Sequence, residues 1–387
     1  MDDVAVRELA PRVLAVLVRR GADFATAEDA VQEALIRALA RGDDVPDDLE
    51  AWLVTVAWRA FLDMARSAAS RRDREARFDR LERFEPDPTA AAVPSTDDTL
   101  HLYFLCAHPD LTPSSAVALT LRAVGGLTTR QIAQAYLVPE ATMAQRISRA
   151  KRTVERAGLE RTGSVSTVMR VLYLVFNEGY SGDVDLAAEA IRLTRELAAM
   201  TDDPEVDGLL ALMLLHHARR ASRTGPDGEL IPLDRQDRRR WDPQLIAEGI
   251  AVLQAALARD RLGEFQAQAA IAALHADAPT FDETDWVQIV EWYDELLELT
   301  DTPIVRLNRA VAVGQADGAL AGLAALAEVD EGVPRRTAVA AHLHERNGDL
   351  ERAARLYATA ALEAPNLAER DHQTRQAARV NQLRRDR

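Results

Sequence analysis

The sequence predicts an all-α protein made of two small helical domains, a linker between them and a long helical extension. Apolar residues recur with the spacing of one buried helix face along most of the 387-residue chain. From Val165 onward, no stretch alternates apolar and polar residues as a half-buried strand does. Two stretches near the end of the chain also echo each other, which is typical of stacked helical repeats.

The first domain, expected at residues 1–84, begins with an amphipathic helix over residues 4–20. A second helix follows in TAEDAVQEALIRALARG, for which we expect Thr26 to be the N-cap. Its apolar residues face inward and leave a line of polar residues that we call the polar ridge. The polar ridge consists of Glu28, Asp29, Gln32, Glu33 and Arg37. Such a ridge is usually a solvated helix face.

A third helix begins near Trp52 and carries aromatic residues followed by arginines. The aromatic residues are Trp52, Trp58 and Phe61, and the arginines are Arg66, Arg71, Arg72, Arg74 and Arg77. Aromatic rings beside arginines suit a surface that stacks on unpaired bases and neutralises phosphates. The same residues suit a three-helix core followed by an arginine tail that nearby carboxylates balance. The pattern does not choose between these two interpretations.

A linker and a second domain follow. Residues 85–99, EPDPTAAAVPSTDDT, contain three prolines and no basic residue, which is typical of an extended acidic linker. The second domain, expected at residues 100–160, includes a helix that starts at Pro113 and is ended by Gly125 and Gly126.

Residues 127–151, LTTRQIAQAYLVPEATMAQRISRAK, have the pattern of a helix-turn-helix. Thr128 can cap the first helix. Val138 and Pro139 interrupt the pattern, because proline cannot continue a helix but is tolerated at the start of the next one. The inner stripe of the second helix is formed by Met143, Ile147 and Ala150.

The outer face of this second helix is polar and basic. It is formed by Thr142, Gln145, Arg146, Arg149 and Arg152, with Lys151 beside them. Arginine and glutamine can pair bidentately with base edges in a major groove, while other cations hold phosphates. The alternative is an ordinary helical hairpin with a solvated basic face.

The net charge of −15 argues against a protein that coats nucleic acid indiscriminately. The charge is distributed unevenly along the chain. Residues 111–161 carry eight basic and three acidic side chains, whereas residues 162–387 carry 25 basic and 37 acidic ones. A cationic domain therefore precedes an acidic one, and we expect the two to have different partners.

Several function classes are disfavoured by what the sequence lacks. The single cysteine, Cys106, excludes an internal disulfide framework and a cysteine-based zinc site, and we expect a buried residue here rather than a reactive thiol. We find no metal-ligand spacing, phosphate-binding glycine loop or nucleophile–base arrangement, so we expect neither an enzyme nor a cofactor. No apolar run approaches the roughly 18 residues of a membrane span, and the start of the chain lacks a signal-peptide pattern. We therefore expect a cytoplasmic protein without a membrane partner.

The extension, expected at residues 165–387, contains a degenerate repeat. QADGALAGLAAL begins at Gln315 and NGDLERAARLYA begins at Asn347, 32 residues later. This shift is close to the roughly 34 residues of a tetratricopeptide helix pair. A TPR-like α-solenoid presents a concave surface, on which we expect a protein or peptide ligand. A charged insertion at residues 223–243 is expected to be either a docking loop or a solvated loop.

Taken together, these motifs resemble a known protein family. The helix EDAVQEAL, the helix that begins with AWL, the acidic linker and a helix-turn-helix ending in RISRAK follow the order of a bacterial sigma factor over residues 4–157. The two-domain layout is similar to that of the extracytoplasmic-function (group IV) class. VLYLVFNEGY, ELIPLDRQDRRRWD and TDWVQIVEWYDELL resemble the subgroup that carries a long TPR-like C-terminal extension.

The resemblance implies a sigma factor that binds core RNA polymerase and directs promoter-specific transcription initiation. Residues 1–84 would be sigma region 2, which contacts the clamp of the largest polymerase subunit through the polar ridge. The same region recognises and opens the −10 element of promoter DNA. The residues carried over for −10 recognition and melting are Trp52, Trp58, Arg59, Phe61 and Arg66. The family often has asparagine where Arg59 stands, so we assign no base to any of them.

Residues 100–160 would be sigma region 4, which reads the −35 element and contacts the polymerase flap. We expect Gln145 and Arg146 to contact base edges, and we expect phosphate contacts from Thr142, Arg149 and Lys151. The resemblance also implies that the fused extension regulates activity.

Two other classes of protein fit the same sequence. A helix-turn-helix transcriptional regulator would bind DNA without joining polymerase in a stoichiometric complex, so co-purification with core polymerase separates it from a sigma factor. A helical-repeat interaction scaffold would use the N-terminal half only as structure, and specific promoter binding excludes it.

Overall fold

A computed structural model of the chain confirms the predicted all-α fold. The residues that it describes are 3–41, 48–72, 96–136, 138–157, 163–178, 180–181, 184–225 and 229–386. No strand is predicted after Val165, but Tyr180–Ser181 and Val184–Asp185 form two short antiparallel strands of two residues each. The chain divides into two compact units, Met1–Asp202 and Asp203–Arg387.

Within the described ranges, the first unit consists of nine α-helices. They are α1 (Asp3–Arg19), α2 (Phe24–Ala40), α3 (Leu49–Arg72), α4 (Thr96–Cys106), α5 (Pro113–Ala123), α6 (Thr129–Ala135), α7 (Glu140–Ala157), α8 (Val165–Glu178) and α9 (Leu186–Met200).

Local capping explains where two of these helices begin. α2 starts before the predicted cap Thr26, because the Asp23 carboxylate accepts the backbone N–H of Thr26 at 2.9 Å. The prediction of Thr26 as N-cap is therefore wrong, and a carboxylate three residues earlier takes that role. α5 starts at Pro113 as predicted, with the Thr112 side chain accepting from the backbone N–H of Ser115.

The first three helices pack on one another around a shared apolar core. Leu14 and Leu17 from α1, Ala34 from α2, and Leu53 and Phe61 from α3 are buried there. This is the three-helix arrangement that the apolar spacing predicts.

Both helices of the helix-turn-helix pack on α5, which packs on α4 in turn; α8 contacts both α4 and α5, and α9 contacts α4. The buried Tyr103 hydroxyl of α4 donates to the Leu193 carbonyl at 3.2 Å and to the Glu196 carboxylate at 3.3 Å, both in α9. Burial raises the pKa of Tyr103 well above its ordinary value, so this phenol keeps its proton and acts as a donor. The first compact unit therefore extends past residue 165, at which the extension is predicted to begin.

Cys106, at the end of α4, is buried, and burial raises the pKa of its thiol. A thiol that is held protonated and away from solvent is a packing residue and not a nucleophile.

The second unit continues the succession of helices. Its α-helices are α10 (Pro204–Ala218), α11 (Pro243–Leu257), α12 (Glu264–Asp277), α13 (Trp286–Leu299), α14 (Pro303–Ala316), α15 (Ala319–Leu326), α16 (Arg336–Arg346), α17 (Leu350–Glu363) and α18 (Leu367–Arg385). Helices that follow each other along the chain also pack on each other, as in a solenoid.

The charged insertion is tied to its own unit by specific hydrogen bonds. The backbone N–H of Ile231 donates to the Arg223 carbonyl at 2.9 Å, and the indole N–H of Trp241 donates to the Ser222 hydroxyl at 2.7 Å. Trp241 is buried, and Arg238 stacks on its ring at 4.5 Å. These contacts tie the described residues of the insertion to the rest of the second unit.

Candidate nucleic-acid and polymerase interface

The two helices of the predicted helix-turn-helix are α6 and α7. Thr128 caps α6 as predicted, and Gln131 completes a capping box because its side chain accepts the backbone N–H of Thr128 at 2.9 Å. The inner stripe is also confirmed, since Met143, Ile147 and Ala150 are buried. The turn and the second helix therefore have the geometry that places one face of α7 outward.

Most residues of the predicted DNA-contact set lie on that outward face. Thr142, Gln145 and Arg149 are exposed, and Arg146 is half-buried. Because they are spaced three and four residues apart, they share one side of α7. Amide, hydroxyl and guanidinium groups in this arrangement supply the donors and acceptors that base edges and phosphates require.

Lys151 lies apart from this face. Its ammonium is 2.5 Å from Glu28 Oε2 and 3.6 Å from Asp29 Oδ1, and its side chain is 12% exposed. The fold thus brings Lys151, which is predicted to bind phosphate, next to Glu28 and Asp29, which are predicted to bind polymerase.

The polar ridge of α2 is divided between buried and open positions. Glu28 is buried, whereas Asp29 and Arg37 are exposed and Gln32 and Glu33 are half-buried. Arg37 Nε donates to Glu33 Oε1 at 3.1 Å on the solvent side. The open part of the ridge is accessible to a partner, and Glu28 is not.

Two residues that sequence reasoning missed belong to this region. Ile36 is 62% exposed on α2, three residues after Glu33 and next to Arg37, so it adds an apolar position to the open ridge. Because Ile36 stands in an apolar run, residue type alone predicts that it faces the core. Its helical spacing from Asp29 and Glu33, however, places it on the same face as the polar ridge. Arg122 of α5 lies 2.8 Å from Glu28 Oε1, and no local pattern indicates that contact.

The residues carried over for −10 recognition fall into two groups. Trp58 and Phe61 are buried with their ring centroids 5.3 Å apart, so they form part of the core. Trp52 is half-buried beneath the Arg41 guanidinium, and Arg59 and Arg66 are exposed. The burial of Trp58 and Phe61 favours the core interpretation for these two rings.

Some predicted features lie outside the described residues. They are Arg74, Arg77 and most of the linker at 85–99, together with the side chains of Arg71 and Arg72.

The second unit contains a cavity of about 790 Å³ between the insertion and the inner helices of the solenoid. Its aromatic lining is formed by Phe281, Trp286, Tyr293 and Tyr357, and its amide lining is formed by Asn308, Gln315, Gln373 and Gln376. Gln373 Oε1 is buried without a hydrogen-bond partner. Burial is the main cause that lowers the pKa of His342 and of His372, so both line the cavity as neutral rings.

Arginines give this cavity a cationic side. Arg335 pairs with Glu369 at 2.6 Å and Arg379 pairs with Glu345 at 2.7 Å, and Arg346 also lines the cavity. Aromatic, amide and guanidinium groups together suit a peptide ligand, which has backbone amides to hydrogen-bond and can carry an anionic group.

In the described part of the chain, no three histidine, cysteine or carboxylate side chains come close enough together to hold a metal ion. Among the helices that the structure describes, none combines the length and the apolar character needed to cross a bilayer.

Three family models match the chain in succession. "Sigma-70 region 2" matches residues 5–71, "Sigma-70, region 4" matches residues 101–154, and "Family of unknown function (DUF6596)" matches residues 164–257. The first two matches coincide with the α1–α3 core and with the helix-turn-helix and its supporting helices.

Two relatives illustrate the likeness. "Uncharacterized protein R00370" of Rhizobium meliloti (strain 1021) is 39% identical over 360 residues, covering 85% of this chain and 83% of that protein. "Probable ECF RNA polymerase sigma factor SigI" of Mycobacterium tuberculosis is 31% identical over 176 residues, covering 44% of this chain and 59% of that protein. No solved structure matches the chain.

Proposed function

Because the chain belongs to the extracytoplasmic-function sigma factors, in a form with a C-terminal extension, we propose that it directs core RNA polymerase to a specific class of promoters. This activity would place it in the cytoplasm with the polymerase. The observation that carries the proposal is the first unit, which holds an outward helix-turn-helix face and an open polar ridge in one compact body.

In this proposal the outward face of α7 reads the −35 element. Gln145 and Arg146 contact base edges, while Thr142 and Arg149 contact phosphates and fix the register. Lys151 joins the phosphate contacts once it leaves Glu28. The exposure of Thr142, Gln145 and Arg149 supports these roles.

The −10 element is assigned to the exposed side of α3. Trp52, Arg59 and Arg66 provide one aromatic ring and two cations there, which suits an unpaired strand. Trp58 and Phe61 serve this surface indirectly, because their packing holds α3 against α1 and α2.

The polymerase contacts are assigned to the open part of the polar ridge for the clamp and to residues 100–160 for the flap. Charged residues at such a surface mainly steer and orient docking, and a central apolar residue supplies much of the affinity. Asp29, Glu33 and Arg37 fit the first role, and Ile36 fits the second.

Run-off transcription with purified core polymerase on a set of genomic promoters tests this function. We expect the full chain to give promoter-specific transcripts and to co-purify with core polymerase in a stoichiometric complex. Specific promoter binding without such a complex would instead support a conventional helix-turn-helix regulator.

We also propose that the second unit regulates this activity by binding a peptide with an acidic group in its cavity. Two observations support this proposal. Gln373 Oε1 is buried without a hydrogen-bond partner among the described residues, and Arg346 contributes a positive charge to the cavity lining. An octapeptide pool rich in Asp and Glu should stabilise the full chain thermally, by about 2.7 kcal/mol at a concentration 100 times its dissociation constant.

A basic octapeptide pool of the same length serves as the matched control. The variant Arg346→Ala should reduce the shift produced by the acidic pool, whereas Arg352→Ala, which lies outside the cavity, should not. Equal shifts with both pools would contradict an anionic ligand.

A further inference from the structure

We propose that Glu28, Arg122 and Lys151 form a closing contact that holds the first domain against the helix-turn-helix and keeps the protein in a resting state. This inference deepens the proposed function and rests on it, since it concerns how the two promoter-reading domains become available. It assigns a role to Arg122, to which no function is otherwise given.

The closing contact is a buried cluster of charges from three helices. Glu28 of α2 lies between Arg122 Nε of α5 at 2.8 Å and Lys151 Nζ of α7 at 2.5 Å. The side chains are 3%, 13% and 12% exposed, respectively. Charges withdrawn from water to this degree interact more strongly than surface pairs and are less screened by salt.

Closure and promoter engagement compete for the same side chains. An ammonium that binds two carboxylates is not available to a DNA phosphate, and a carboxylate between two cations is not available to polymerase. The packing of α2 on α7 and of α1 on α4 extends the contact between the domains beyond the three charges. The described arrangement therefore withholds Lys151 from DNA phosphates and Glu28 from polymerase.

The same cluster has features of a contact that can reopen. Arg122 Nε is close to Glu28 Oε1, but this oxygen has no well-aligned hydrogen bond. A buried ion pair with incomplete hydrogen bonding contributes little net stability, because the cost of desolvation offsets most of the attraction. A phosphate for Lys151, or a polymerase cation for Glu28, would replace the lost partner.

The open part of the polar ridge indicates how opening begins. Asp29 and Arg37 remain exposed in the closed state, so polymerase can dock there before Glu28 is released. Docking would then bring polymerase groups next to Glu28 and favour the open state, as any ligand with higher affinity for that state does.

The chain offers a direct chemical test, because Lys151 is its only lysine. A carbodiimide joins an amine to an adjacent carboxylate as an amide with loss of water. In the dilute full chain we expect an intramolecular cross-link from Lys151 to Glu28 or Asp29, identified by peptide mass spectrometry. Absence of this cross-link, with rapid acetylation of Lys151 by an amine-reactive ester, would overturn the proposal.

The variant Arg122→Gln opens the contact while leaving intact every side chain assigned to promoter DNA or to the polymerase clamp. Acetylation of Lys151 should rise on the order of tenfold, since apparent reactivity scales with the open fraction. Binding to promoter DNA without polymerase should strengthen in parallel. Arg130→Gln is the matched control, because it removes one exposed positive charge from the same domain.

Arg122 Nη1 also donates to the Leu127 carbonyl at 3.0 Å, so folding is checked by thermal melting. Arg122→Lys keeps the charge and should stay closed even if Arg122→Gln loses stability. Equal acetylation and DNA binding in Arg122→Gln and Arg130→Gln would refute the closing contact. A cross-link that forms normally in a protein that never supports transcription would instead refute the proposed function.

Discussion

At the scale of single residues, the outward face of α7 combines two kinds of DNA contact that mutagenesis can separate. A side chain that reads a base edge affects one sequence position, whereas a side chain that binds phosphate affects all sequences alike. Arg146 is half-buried near the turn, and Arg149 is exposed one helical turn later.

Arg146→Ala should weaken binding of the polymerase complex to a matched −35 element by roughly 1–3 kcal/mol, with little further loss on a mutated element. The reason is the loss of a contact that only the matched base completes. Arg149→Ala is the control and should weaken both equally. Fluorescence anisotropy with the two DNA duplexes measures the difference, and parallel losses for Arg146→Ala would exclude base reading.

Ile36→Ala should weaken the complex with core polymerase by about 2 kcal/mol, because three buried carbon atoms are lost at about 0.8 kcal/mol each. Leu174→Ala truncates another exposed apolar residue of the same unit and should have little effect. Titration of labelled protein with core polymerase provides the affinities. Similar values for both variants would show that Ile36 is not an apolar anchor.

Residue types and spacing predicted the composition of these faces but not the partners of individual side chains. The inner positions Met143, Ile147 and Ala150 follow from helical period alone. The pairing of Glu28 with Lys151 joins residues 123 positions apart, and periodicity carries no information about such a contact. Glu28 was expected on a solvated ridge for this reason, and the structure buries it.

At the scale of elements, α14 and α15 are held together by a close approach of two glycines. A Cβ on Gly322 would lie 2.7 Å from the Gly314 Cα and 2.8 Å from Leu343 Cδ2. Backbone atoms cannot move aside as a flexible side chain does, so this crossing requires glycine.

Gly322→Ala should lower the thermal midpoint of the second unit, because overpacking costs typically about 1–3 kcal/mol and outweighs the better helix propensity of alanine. Gly332→Ala is the matched control, since a Cβ there meets nothing within 4 Å. Scanning calorimetry of the full chain measures both midpoints. An unchanged midpoint for Gly322→Ala would mean that the two helices separate easily.

The echo in the sequence predicted paired helices in this region but not the register of their turns. The 32-residue shift aligns Asp317 with Asp349, yet the turn glycines with positive φ are Gly318 and Gly348, 30 residues apart. Asp349 caps α17, whereas Asp317 ends α14. A degenerate repeat tolerates such offsets, because the stability of each helix pair depends on its packing and not on sequence identity between repeats.

At the scale of the whole molecule, the extension is not a separable attachment. The sequence motifs predict that it starts near residue 165, but α8 and α9 belong to the same compact unit as the helix-turn-helix. Linker composition marks boundaries in sequence, and it does not reveal which surface a later helix covers.

A chain truncated after residue 164 should be less stable than one truncated after Asp202. The shorter chain uncovers the apolar side of α4 and leaves the Tyr103 hydroxyl without its two acceptors. Size-exclusion chromatography with light scattering and dye binding should show aggregation only in the shorter chain. Tyr103→Phe in the longer chain separates the loss of the hydrogen bond from the loss of cover, and equal behaviour of both truncations would contradict this prediction.

The contact between Tyr103 and Glu196 also determines how long α4 stays uncovered while the chain is being synthesised. The two residues are 93 positions apart, so at about 5–20 residues per second a ribosome needs roughly 5–20 s to deliver α9 after α4. After Ala157 has been added, the nascent chain contains its complete helix-turn-helix, while the apolar side of α4 is still uncovered. During synthesis there is therefore a period in which chaperones and the later helix α9 compete for the apolar side of α4.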